Sequence, residues 1–125
     1  MKKSGPNPLK KIKIPLYGGH IWFFTDVSAY NEASNQLDED SGESHERGVG
    51  MTRVYVDEED RRIYMVGVFD KGLQTLVHEL GHVTIIVCEY AGIDPRSGNG
   101  EPFCYLLDYL FAEFAPILMG EAAKA

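Results

Sequence analysis

The stretch DKGLQTLVHELGHVTIIVCEYA, residues 70–91, carries at its centre His78-Glu79-Leu80-Gly81-His82, an H-E-x-x-H pattern. On a helix, residues four apart share a face one turn apart, so both imidazoles can grip one metal ion. Glu79, beside the first of them, can reach a water on that ion and act as its general base. The helix is written in the apolar positions. Leu73, Leu76, Val77, Leu80, Val83, Ile86, Val87 and Tyr90 recur at steps of three and four. Asp70 is expected to cap its start and Gly92 to stop it, with Pro95 beyond.

Catalytic zinc takes three protein ligands and leaves a fourth position for water. Glu101 is the leading candidate for the third ligand. It opens a second apolar-periodic segment, and Pro102 after it suits a first helical turn. The glycine-rich Gly98-Asn99-Gly100 before it is expected to reverse the chain, so two antiparallel helices can return Glu101 to the histidines. Among the alternatives, Cys88 is six residues past His82 and rotated away from its face, and reads as a core thiol. Glu89 shares the histidine face but lies about 10 Å along the axis from His82. Asp94 is the serious competitor.

With these residues the chain resembles the zincin metallopeptidases, in particular the gluzincin branch, over residues 61–118. It is also similar to small zincin-like proteins of bacteriophages and prophages. That narrower likeness extends to Leu16-Tyr17-Gly18-Gly19 and Phe23-Phe24-Thr25-Asp26. The resemblance implies a His78, His82 and Glu101 site for Zn²⁺, with Glu79 catalytic and a polypeptide as substrate. It departs from the gluzincin pattern at Gly100, where an Asn often precedes the ligand Glu. Asp108, seven residues after Glu101, could support a ligand imidazole or be an exposed helix carboxylate. Tyr105, Tyr109 and His20 are candidate donors to a transition-state oxyanion. His20 reads first as a surface turn histidine.

Outward from this centre the expected fold class is α+β. A minimal zincin-like core would have two β-hairpins in a small mixed sheet, packed on the H-E-x-x-H helix and the glutamate helix. Ile12, Ile14 and Leu16, a turn at Tyr17-Gly18-Gly19, and His20 to Phe24 make the first hairpin. Thr25-Asp26 can cap a helix through about Asn35, with Val27, Tyr30 and Ala33 inward. Residues 51–57 and 61–69 make the second hairpin. In zincins an exposed strand beside the metal helix adds main-chain hydrogen bonds to an extended peptide, which needs an unpaired edge. The last helix is expected from about Pro102 to Leu118, with Pro116 kinking or ending it. Residues 1–11 read as a flexible basic arm, 12–118 as one domain, 36–50 as a mobile acidic loop and 119–125 as a tail. The acidic loop is first a solvated connection, with a lid as the sharper reading and His45 as a solvated side chain.

The bulk properties narrow the partners. The chain has 125 residues, 44% of them hydrophobic, enough for one small core. A formal net charge of −7 argues against nucleic acid. No apolar run is read as long enough to span a membrane, and no apolar core follows the basic start, so no secretion signal is expected. Cys88 and Cys104 do not make a disulfide scaffold, and a reduced cytoplasmic setting is expected, host cell or virion if phage-encoded. Three functions compete: a minimal zinc metallopeptidase, a non-catalytic zinc-binding structural or assembly protein, and a metal-free helix whose histidines are satisfied in the core.

Overall fold

Strand pairing places the two hairpins in one four-stranded sheet. The computed structural model describes residues 8–37 and 48–124, so most of the acidic loop and the first seven residues of the basic arm lie outside the described residues. The elements are β1 (Lys10–Lys13), β2 (His20–Phe24), α1 (Val27–Leu37), β3 (Gly50–Val56), β4 (Arg62–Val68), α2 (Leu73–Ala91), a short 3₁₀ turn (Ser97–Gly100) and α3 (Glu101–Lys124). The protein is thus α+β, with a small mixed sheet and three helices. By its internal contacts the chain divides between Asp70 and Lys71 into two units.

The first unit is the sheet with α1. Its strand order is β1-β2-β4-β3. Both hairpins form as alternation requires, β1 antiparallel to β2 and β3 antiparallel to β4. They are joined by a parallel pairing of β2 with β4, His20 opposite Ile63 through Phe24 opposite Gly67. The strand before the metal-motif helix, β4, is therefore interior, and the edges are β1 and β3. β4 can add no strand to an extended peptide, because both its hydrogen-bonding sides are taken.

α1 lies on the face that carries Phe24, Ile63 and Met65. Tyr30 and Ala33 pack there, with Trp22, Met51, Tyr55 and Phe69 around them. Asp26 caps the helix as expected, its Oδ2 accepting the Ala29 N–H at 2.9 Å. The Tyr30 ring meets Phe24 and Phe69 edge-on, at 5.4 and 5.5 Å between centroids. Its buried hydroxyl donates to the Met65 carbonyl. Gly67 is required beneath this stack, since a Cβ there would strike the Phe69 ring and crowd Tyr30. On the other face Ile21, Phe23, Tyr64, Val66 and Val68 are all buried.

Two expectations fail at the start of this unit. The basic arm does not extend to residue 11. The Leu9 N–H bonds the Phe23 carbonyl at 2.7 Å, and Lys10 and Lys11 already belong to β1. An edge strand tolerates lysines because one side faces solvent. Leu16 leaves the apolar face of its hairpin. It sits in the turn at φ 70° and is 94% exposed.

The second unit is the pair α2 and α3, which pack together. Leu76, Leu80, Val83 and Val87 form the buried side of α2, and Leu106, Leu110, Phe114 and Leu118 that of α3. Asp70 does not cap α2. Lys71 turns left-handed at φ 58°, and Gly72, which has no side chain to offer, occupies the N-cap. The far end follows expectation: Gly92 is left-handed, and its N–H reaches the Cys88 and Glu89 carbonyls. Gly98, Asn99 and Gly100 then take three successive left-handed conformations and turn the chain into α3.

Pro116 neither ends α3 nor leaves a frayed tail from 119, since the helix continues to Lys124. An interior proline costs about 3 kcal/mol. Buried Phe114 and Leu118, on either side of it, each contribute about 1.5–3 kcal/mol, enough to carry the helix through. By length and composition alone residues 97–120 are long and apolar enough to cross a membrane, with a mean hydropathy of 1.4 over the 18-residue window, 28% of which is buried. A core helix of a small domain meets the same measure.

Candidate metal centre

His78 and His82 stand on the exposed side of α2, one turn apart. Their Nε2 atoms approach to 3.3 Å, with the rings at 84° and their centroids 4.8 Å apart. Two nitrogens bound to one tetrahedral zinc at 2.0–2.1 Å are separated by about 3.3–3.4 Å. The pair is thus held at the span of one edge of a zinc tetrahedron. The same distance is that of a long N–H···N hydrogen bond, one neutral imidazole donating to the other. The helix brings the two rings together, because i and i+4 side chains overlie one another.

Glu79 lies about 60° around the helix axis from His82 and about 100° from His78. It is 7% exposed, at the border between the buried side of α2 and its histidine side. A carboxylate there is largely screened from bulk water.

The third donor is not gathered beside them. Among the described residues no three or more His, Cys, Asp or Glu side chains are grouped as they would be to hold a metal ion. Glu101 opens α3 and is exposed. Asp108, Tyr105 and Tyr109 are exposed further along the same helix, Tyr105 at 71% and Tyr109 at 42%. Asp94, the competing ligand, is already engaged. It accepts the Arg96 N–H at 2.9 Å and faces the Arg96 guanidinium at 3.4 Å. The backbone N–H first, then the side chain, hold its carboxyl below the ordinary range. Cys88 is buried as a core thiol, and burial pushes its pKa up, away from the thiolate a metal would need. Glu89 is exposed two turns on.

His20 is a residue of the first unit, on β2. It lines a cleft in the first unit together with Lys11, Trp22, Asp57, Arg61 and Ile63. Alternation puts His20 and Trp22 on one face of β2, but bringing Asp57 and Arg61 to them takes the β2–β4 register, which no local pattern encodes.

Gly81 separates the two histidine turns, and a Cβ built on it meets no atom within 4 Å. Nothing in the packing requires glycine there. Gly81→Ala is expected to stabilise α2 by about 1 kcal/mol, raising the melting temperature by roughly 4 °C. Thermal unfolding followed by circular dichroism measures this, and an unchanged or lowered midpoint would contradict it.

Comparison with protein-family profiles, curated proteins and solved structures returns no match to this chain.

Proposed function

We propose that the chain is a minimal zinc-dependent metallopeptidase of zincin-like architecture, hydrolysing peptide bonds in a polypeptide substrate. The observation that carries this is the His78–His82 pair, whose Nε2 atoms stand 3.3 Å apart with Glu79 between the histidine side and the buried side of the helix. His78, His82 and Glu101 would hold Zn²⁺. Glu101 is a carboxylate on the helix packed against α2, and its exposed side chain is free to change rotamer. Zinc supplies Lewis acidity, polarising the scissile carbonyl and lowering the pKa of water towards neutral. Glu79 takes the proton from the attacking water and passes it to the leaving amine. Tyr105 and Tyr109 are the hydroxyl donors on α3 for the oxyanion, and Asp108 is the carboxylate available to orient an imidazole. No partner other than the polypeptide is proposed, and the setting is cytoplasmic.

A second reading is a protein that holds zinc without hydrolysis, as a structural or assembly component, of phage origin in the narrower resemblance. The exposure of both imidazoles favours it, because catalytic pockets are concave and mostly apolar. One experiment separates the two. Pure protein is stripped with chelator, reloaded with zinc and incubated with an unfolded polypeptide. The peptidase reading expects cleavage that disappears on stripping and returns with zinc. Stoichiometric zinc with no cleavage across a broad peptide library would leave the second reading.

A further inference from the structure

The first unit carries a cleft that the metal chemistry does not use. It has a volume of about 240 Å³, below the roughly 300–1,000 Å³ typical of drug-sized ligands. His20 and Trp22 come from β2, Ile63 from β4, Lys11 from the edge strand β1, and Asp57 and Arg61 from the connection between β3 and β4.

The polar groups around it divide into those already satisfied and those with capacity left. Asp57 Oδ1 accepts the N–H groups of Glu59 and Arg61, and its Oδ2 takes the Arg61 Nε–H at 2.8 Å. These contacts make Asp57 the organiser of the turn. They also pair its charge with that of Arg61. Lys11 is different: its Nζ lies 4.4 Å from the centroid of the Trp22 ring. Lysines on an edge strand commonly serve only to discourage strand pairing, but a solvated guard needs no seat over an indole. Among the described residues the cleft therefore offers the Lys11 ammonium, seated over an indole, a neighbouring imidazole, and an apolar surface of Trp22 and Ile63.

We propose that this cleft binds a small carboxylic acid with an apolar body, the carboxylate held by Lys11 and His20 and the body resting on Trp22 and Ile63. A singly charged acid suits a single ammonium donor, since Arg61 is already paired with both Asp57 and Glu59. A bare inorganic ion would forgo the apolar surface, and a dianionic phosphate would face the Asp57 carboxylate.

Trp22 is the single tryptophan of the chain, so its fluorescence reports the cleft directly. The wild-type chain is titrated at constant ionic strength with cyclohexanecarboxylate, cyclohexanemethanol, acetate and inorganic phosphate. The expected result is a saturable change with cyclohexanecarboxylate, and affinity lower by about tenfold or more for the other three. Lys11→Met should weaken cyclohexanecarboxylate by a similar factor, about tenfold or more, and Lys11→Arg should restore most of it. Circular dichroism checks that both variants fold. Three results would overturn the proposal: no saturable response in the wild type, equal binding of phosphate or the alcohol, or unchanged affinity in folded Lys11→Met.

Discussion

Glu79→Gln is expected to keep its zinc and lose its hydrolysis. A general acid–base group contributes about 10²–10⁴-fold to rate, so kcat should fall by at least about a hundredfold while KM changes little. The neutral amide keeps the shape of the side chain but cannot accept the proton from water. Because Glu79 is 7% exposed, an isosteric replacement is needed; a truncation would open a cavity in α2 and confuse lost chemistry with lost folding. The measurement is turnover of an unfolded polypeptide by zinc-loaded wild type and variant, with elemental zinc determined on the same samples. Wild-type turnover surviving in a pure variant would remove Glu79 from the mechanism. Equal zinc in both is required for the comparison to speak to the base alone.

His82→Ala should abolish the response of stability to zinc. A ligand that binds only the folded chain stabilises it by about 2.7 kcal/mol at a hundred times its dissociation constant. For a chain of this length that raises the melting temperature by on the order of 10 °C. In the variant one edge of the coordination tetrahedron is gone, and the midpoint should not move with zinc. His82 is exposed, so its removal is expected to change the metal-free midpoint little. Parallel melting curves with and without zinc test this. A wild-type midpoint insensitive to zinc, or a variant that responds as the wild type does, would contradict the pairing of His78 with His82 on one ion.

Local pattern made most of the elements legible. The alternation of β1 to β4, the three-four periodicity of α2 and the Asp26 cap of α1 are all short-range signals, and the structure follows them. That His78 and His82 share one side of α2 is legible for the same reason, since helix spacing sets it, while the 3.3 Å between their Nε2 atoms also takes particular rotamers. What local pattern missed depends on distant partners or on competing terms. Nothing in residues 20–24 says that they pair in parallel with 63–67, and this pairing makes β4 interior. Asp70 is a good capping residue, but the left-handed turn at Lys71 places Gly72 at the cap instead. Pro116 reads as a kink or an end of the helix by its own chemistry, and the helix runs on through it with Phe114 and Leu118 buried on either side. The third ligand is a tertiary matter too. Glu101 begins α3 as its neighbours Gly100 and Pro102 foretell, yet where its carboxylate goes is a question of rotamer and of the metal itself.

Elemental analysis of the wild-type chain tests the account at its root. The protein is purified without chelator, equilibrated with zinc and freed of excess by dialysis, beside a His78→Ala/His82→Ala double variant. About one zinc per chain is predicted for the wild type and only background for the variant. A wild-type chain that emerges from dialysis with no zinc would contradict the metal centre, and with it the hydrolytic chemistry assigned to Glu79.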